Sequence, residues 1–337
     1  MASTVIDRKW RSTTADAIEA GLAELWREIG RQAPVARAVM SNLIVFRERS
    51  SLGSDRLEAL IEGLPLEEVV ARHPSRIVLI AHERRRIECQ PVATSVGVVT
   101  FGPPQARYGV EQIAVIASCS DASLPSILRR ALRGDVPTSV WWAEDLSQVS
   151  PVASLVTMGR QLVYDSAAWR DVRRGILALA PIVRDRRLDC ADVNWRRLVP
   201  VRQALLHAAE SMKKVDLRHA AVRIAHRPGD AALAWLLAGW LAARLNWPDS
   251  APLSVEESRQ SHDAVTLKCG TDNGDLTLTL TRQHALVRWR GHPSFTVAAP
   301  RESTADAIAA ELRSLASDVC LHDALASLIR RFSAASP

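Results

Sequence analysis

Apolar residues recur at helical spacing over residues 124–132, where Leu124, Ile127, Leu128 and Leu132 have arginines between them. The chain then runs Gly134-Asp-Val-Pro-Thr-Ser-Val-Trp-Trp142, a proline-opened strand that ends in two tryptophans. A short helix over 149–158 and a strand over 160–166 complete a β-α-β unit. Such a unit needs a crossover and therefore parallel strands. Sites in open α/β sheets are built at the carboxyl ends of parallel strands, which places Trp141, Trp142, Asp165 and Ser166 at one edge. Adjacent tryptophans serve equally well as core on the two faces of a strand.

The same patterns extend in both directions. A hydroxyl cap at Ser12 and an acid at Asp16 open a helix striped by Ile18, Leu22, Leu25 and Ile29. Residues 39–46 form an apolar strand, 57–70 a helical stretch broken at Gly63-Leu-Pro65, and 77–80 a buried strand. Residues 87–99 and 109–117 read as strands joined by a turn at 100–107, hence an antiparallel pair. Beyond 168 the character changes. Helices cover 169–179 and 195–209, the latter capped by Asp192 or Asn194, and a strand covers 220–225. Asp230 caps a helix over 231–245 that is apolar nearly all round and so central. Alternation over 265–269, 276–281 and 286–290, with a turn at Asp272-Asn-Gly274, gives an antiparallel meander. Two helices close the chain, one capped by Ser303 with Asp306 three residues on, the other striped by Leu321, Leu325, Leu328 and Phe332.

The expected fold class is α/β in two domains: an N-terminal mixed β-sheet with flanking helices and a C-terminal α+β domain with an antiparallel meander and helices. The boundaries read 1–34 for an N-terminal helical arm, 35–168 for the α/β domain and 169–335 for the α+β domain. A chain of 337 residues exceeds what one core usually holds.

Composition narrows the function classes. No apolar run reaches the length of a bilayer span, and the start lacks the apolar region of a secretory signal, so a cytoplasmic location is expected. The five cysteines (Cys89, Cys119, Cys190, Cys269, Cys320) never form a Cys-x-x-Cys pair, which argues for reduced thiols and against a zinc site. Net charge is +6, and all but four of the 43 basic residues are arginine. They are scattered in short clusters along solvated helix faces, not gathered with aromatics as nucleic-acid binding requires. Phosphate cradles of the Gly-x-Gly-x-x-Gly and Gly-x-x-x-x-Gly-Lys-Ser/Thr types are absent, as are His-Glu-x-x-His and Gly-x-Ser-x-Gly. His73, Asp165 and Ser166 could in principle assemble into a triad, since triads are defined by geometry and not by sequence order. His73-Pro-Ser-Arg76 otherwise reads as a turn whose proline sets a helix exit. No catalytic residue, cofactor or metal ligand is assigned.

Collinear short motifs then carry a resemblance. Asn42-Leu-Ile-Val-Phe46, His73-Pro-Ser-Arg76, Gly109-Val-Glu-Gln-Ile113, Leu124-Pro-Ser and Asp135-Val-Pro-Thr-Ser-Val-Trp-Trp142 are followed by three more. These are Val163-Tyr-Asp-Ser166, Asp192-Val-Asn-Trp-Arg-Arg-Leu198 and the run Ala238-Gly-Trp-Leu-Ala-Ala-Arg-Leu-Asn-Trp247, with Trp195 inside the second and Gly239 and Trp240 inside the third. In this order the chain resembles the OpcA family of glucose-6-phosphate dehydrogenase assembly proteins over about residues 35–250. The resemblance implies a protein without a reaction of its own that binds glucose-6-phosphate dehydrogenase in the pentose phosphate pathway and promotes its active oligomer. Some members carry a thiol where Ser75 stands, so a redox switch is not expected. Arg76, Trp141, Trp142 and Asp165 are the candidate partner surface. His73, Pro74, Asp192, Asn194, Trp195, Gly239, Trp240 and Trp247 are candidate structural positions. The alternatives are a nucleotide- or sugar-phosphate-binding α/β protein near Arg76 and Asp165, or, with less support, a nucleic-acid-binding protein.

Overall fold

The computed structural model describes residues 5–52, 57–83, 92–103, 105–118, 123–185, 187–211, 220–248, 252–259, 262–270, 275–314 and 316–334. In the first half, chain order runs β1 (Val5–Thr13), α1 (Ile18–Gln32), β2 (Ala36–Arg37), β3 (Ser41–Glu48), α2 (Leu57–Ile61), α3 (Leu66–Arg72) and β4 (Ser75–His82). It continues with β5 (Ala93–Phe101), β6 (Tyr108–Ala117), α4 (Leu124–Arg129), β7 (Thr138–Trp142), α5 (Ala153–Val156), β8 (Gln161–Tyr164), α6 (Val172–Ala178), α7 (Ala180–Asp185) and β9 (Asp189–Asp192).

These strands form one sheet in the order β1-β5-β6-β4-β3-β7-β8-β9, with β2 beside β6. From β6 to β9 every neighbouring pair is parallel. Numbered by their sequence, those strands lie in the order 3-2-1-4-5-6, the doubly wound arrangement of dinucleotide-binding domains. The expected antiparallel pair is β5 with β6; residues 87–91, expected in its first strand, lie outside the described residues. The sheet is sandwiched. Helix α1, Phe46, Val78, Ile113, Trp142 and Tyr164 belong to one buried cluster, and α3, Val45, Leu79, Trp141 and Val163 to the other.

Two expectations for this half need correction. Ser12 does not cap a helix: Ser12 and Thr13 lie in β1 and pair with Ser95 and Thr94, and α1 begins after a short 3-10 turn without a side-chain cap. Strand β1 has no alternating apolar signal because it is an edge strand whose charges reach helices. Arg8 pairs with Glu67 and Arg11 with Glu24, while Lys9 Nζ lies 2.8 Å from Glu28. Trp10 packs over Gly97 on β5, where a Cβ would come within 2.7 Å of the ring. Residues 189–192, which lie between the helices expected over 169–179 and 195–209, are strand β9 of the first sheet.

The second half contains α8 (Val199–Ser211), β10 (Ala221–His226), α9 (Ala231–Arg244), β11 (Leu253–Glu257), β12 (Val265–Gly270), β13 (Leu276–Leu280), β14 (His284–Trp289) and β15 (Phe295–Ala298). Helices α10 (Thr304–Arg313) and α11 (Val319–Ala334) follow. The sheet order is β11-β10-β12-β13-β14-β15, antiparallel except for β10 with β11. Alternate burial along β12 and β13 matches the predicted meander; its expected turn at 272–274 lies outside the described residues. The fold is thus α/β, a mixed sheet with flanking helices and a mostly antiparallel meander with helices.

Helix α9 is the central element expected, with Leu233, Ala234, Leu237 and Ala238 fully buried. Its Gly239 is required by packing: a Cβ would meet the Ala324 carbonyl oxygen at 2.7 Å and the Leu328 side chain of α11 at the same distance. The helix ends with Asn246 in the left-handed region, φ 50°. Trp247 N–H then donates to the Ala242 carbonyl at 2.9 Å, the six-to-one bond of a Schellman ending. Asp230 is at the N-cap but makes no side-chain cap bond; its carboxylate is engaged elsewhere. Ser303 does cap α10, accepting from Asp306 N–H. Helix α10 packs beside α3 on the first sheet, so the chain returns to its first half near its end.

Candidate functional site

Strands β8 and β9 end side by side, and the chain turns sharply after each. Asp165 begins a 3-10 turn and accepts from Ala167 N–H at 3.0 Å. Asp192 closes β9. Its Oδ1 accepts from Ser166 N–H at 3.1 Å and Asn194 N–H at 2.9 Å, so it fastens both turns together. Asn194 Nδ2 donates to Ser166 Oγ at 3.0 Å, and Arg197 donates to Asn194 Oδ1 at 2.9 Å. Arg197 then reaches Asp230 Oδ1 at 2.8 Å, and Arg227 Nε reaches the other oxygen at 2.6 Å. One polar chain therefore links the first sheet's edge to the start of α9. Asp192, expected to cap the helix over 195–209, instead bridges the two turns.

Burial governs the ionisation here. The carboxyl of Asp192 is pushed up to about 7, first by burial and then by the charge of Asp165, against the bonds from Ser166 and Asn194. Its Oδ2 has no hydrogen-bond partner among the described residues, which leaves room for a proton. Burial also raises Asp165, opposed by its backbone bond and by Arg197 and Arg301. Tyr164 is raised well above the usual phenol range by burial and by Asp192.

Beside this edge opens a cleft of about 500 Å³. Its walls come from Asp165 and Val193 on the first sheet and from Leu280, Thr281, Ala299 and Pro300 on the second. Five arginines contribute: Arg196, Arg197, Arg227, Arg282 and Arg301. Arg196 is satisfied by Glu302 and Glu311, at 2.7 and 3.0 Å.

The residues expected at a partner surface divide. Asp165 lines the cleft. Arg76, Trp141 and Trp142 do not face outward, with relative exposures of 1%, 5% and 1%. The two rings sit on opposite faces of β7 as core; Trp142 stacks on Phe46 with centroids 3.8 Å apart and donates to the Val149 carbonyl. Arg76 is at the amino end of β4, paired with Glu19 and, at 3.2 Å, with Glu111. Glu111 also accepts from Trp26 Nε1 at 2.9 Å. Arg76 and Asp165 thus lie at opposite edges of the sheet and share no site. The conceivable triad fails for the same reason. His73 lies before β4, where its Nε2 meets Ser41 Oγ at 3.1 Å, far across the strands from Asp165 and Ser166. Pro74 accepts from Met40 N–H at 2.8 Å and ends the α3 turn. Trp195 donates to Asp318 at 2.8 Å beneath the guanidinium of Arg202. Trp240 and Trp247 are buried around α9.

Arg47 and Glu144 escaped sequence reasoning. They occupy the crevice between β3 and β7, the topological switch point where dinucleotides bind in folds of this order. Their ion pair spans it at 3.1 Å, Glu144 also accepts from Glu48 N–H, and Arg47 donates to the carbonyls of Leu60 and Glu62. Arg197, Arg227 and Asp230 were missed too, because nothing local marks their convergence. Among the described residues, no cluster of three His, Cys, Asp or Glu could hold a metal ion, and no helix is long and apolar enough to cross a membrane.

Set against known proteins, residues 66–181 match the model of the glucose-6-phosphate dehydrogenase subunit N-terminal domain, and residues 188–325 that of the C-terminal domain. The two models meet in chain order and between them take in most of the chain. The chain belongs to the OpcA family. A protein bearing the OxPP-cycle name OpcA in Nostoc punctiforme is 26% identical over 233 residues, covering 64% of this chain and 47% of the relative. Its namesake in Synechocystis is 28% identical over 118 residues, covering 33% and 24%. The chain therefore spans about half or less of the curated relatives it matches. Among solved structures, Gal80p of Kluyveromyces lactis is 11% identical with TM-score 0.43, covering 91% of this chain and 94% of that one. The UDP-N-acetylglucosamine 3-dehydrogenase GnnA of Acidithiobacillus ferrooxidans is 14% identical with TM-score 0.37, covering 63% and 81%.

Proposed function

We propose that this protein is a non-catalytic assembly factor that binds glucose-6-phosphate dehydrogenase in the cytoplasm and promotes its active oligomer. The observation that carries this reading is the pair of family models, N-terminal then C-terminal, matched along the chain. The geometry agrees with it. The fold has the strand order of a dinucleotide-binding domain, yet the turn after β3 lacks the glycine fingerprint and the Arg47–Glu144 pair crosses the switch-point crevice. A carboxylate there repels a pyrophosphate. We also propose the domain division at 168–169, with β9 and α10 folded back across it.

An activator must bind the active arrangement of its partner better than the inactive one, because equal affinity shifts no population. The test mixes this protein with the dehydrogenase of the same cell at micromolar concentration and follows size-exclusion elution and NADP reduction. Co-elution with a raised rate is expected. Absence of both co-elution and a change in rate would remove the proposal.

A further inference from the structure

The arginine-lined cleft holds chemistry that the fold does not consume. Asp230 is 5% exposed, and its two oxygens take Arg197 and Arg227 separately. This orients both side chains before any ligand arrives. The terminal nitrogens of Arg227 and the guanidiniums of Arg282 and Arg301 meet no hydrogen-bond acceptor among the described residues. Glu302, the rim carboxylate, is committed to Arg196. Asp165, on the wall, has Arg197 and Arg301 near enough to act on its charge, so its carboxylate does not face the cleft uncompensated.

We propose that this cleft binds a small phosphate-bearing metabolite, with the phosphoryl group among Arg227, Arg282 and Arg301 and the uncharged part against Val193, Leu280 and Ala299. The forked guanidinium matches phosphoryl oxygens in pairs and keeps its charge at every physiological pH. A cleft of about 500 Å³ lies within the usual range for small-molecule sites, roughly 300–1,000 Å³. The lining converges from the ends of β8, β9, β10, β13 and β15, which makes a concave pocket and not a groove for an extended peptide. The site joins the two halves of the molecule, so an occupant would contact both. This assignment stands apart from the dehydrogenase proposal, and absence of co-elution leaves it untouched.

Isothermal titration calorimetry of the full chain with inorganic phosphate, pyrophosphate and AMP, at constant ionic strength and with adenosine as the uncharged control, tests it. Saturable one-to-one binding by at least one phosphate is expected, with adenosine silent. The double variant Arg282→Ala/Arg301→Ala should weaken binding by about tenfold or more, the loss of at least one charge-assisted contact. Both positions are exposed, so melting temperature should hold; Arg301→Gln alone should show a smaller loss in the same direction. Arg187→Ala, at a side chain 88% exposed next to Asp185, should bind as wild type. No saturable binding by any phosphate, equal binding by the double variant, or binding of a glutamate-rich peptide in place of the phosphates would each overturn it.

Discussion

The two edges of the first sheet put charged residues to opposite uses. At the amino edge, Arg76, with a side chain 0% exposed, and Glu111, 10% exposed, are buried beneath α1 with Trp26, and the half-buried Arg133 closes over Glu111. Asn42 completes that edge by donating to the Arg133 carbonyl at 2.8 Å and accepting from its N–H at 2.9 Å. At the carboxyl edge near β8 and β9, Asp192 and Asp230 are equally buried, but the arginines they organise open into a cleft. The difference comes from what lies over each edge. A helix covers the first and lets charges compensate only one another. The second faces another sheet across a gap, so charge is left over for something else.

The largest effect should fall in the core between the edges. Trp142→Ala is expected to cost about 3–5 kcal/mol by removing a large buried ring, read as a lowered urea midpoint. A folded variant with a loss below about 1 kcal/mol would return Trp142 to the list of surface candidates. Arg76→Met should cost about 3 kcal/mol, because it strands a buried carboxylate. Arg76→Met with Glu111→Gln should recover part of that loss, and a double variant no better than the single would show that Glu111 is satisfied by Trp26 and Arg133 alone. By contrast, Arg282→Ala at the open edge should leave the midpoint unmoved.

Gly239→Ala tests the helix contact that closes the second half. Placing a Cβ 2.7 Å from a carbonyl oxygen should cost about 1–3 kcal/mol through overpacking. An unchanged midpoint would mean α9 and α11 can separate freely.

A pH effect follows from Asp192. Its folded pKa of about 7 lies above the unfolded aspartate value, so the folded protein holds a proton that the unfolded chain has lost. The stability from this group is complete below the unfolded pKa, about 4, and is lost as pH rises through about 7. Asp192→Asn should flatten that decline in midpoint between pH 4 and pH 7. A variant with the same slope as wild type would assign the proton to another group.

The smallest expected effect concerns thiols. Burial pushes Cys190 up to about 12 and Cys269 up to about 11, so neither is a thiolate at neutral pH. Iodoacetamide should label them only after denaturation, and reductant should leave the melting temperature unchanged. Rapid labelling in native buffer would show that one of these positions opens. Cys89 and Cys119, expected in strands, lie outside the described residues.

Local pattern by itself determined the parallel unit around β7 and β8, the antiparallel pair β5–β6, the meander and the buried run of α9. Each rests on a periodicity that a few consecutive residues express completely. Edge strands β1, β11 and β15 were missed because side chains on an edge answer to water and to neighbouring helices, not to a core. Which charges are interior was decided only in three dimensions. Arg76 finds Glu19 57 positions away, and Trp26 finds Glu111 across 85. Trp141 and Trp142 follow the same rule from the other side: the strand was plain in the sequence, but both of its faces became interior only once helices from distant segments covered them. Charge burial depends on partners brought together by folding, and no spacing along the chain records them.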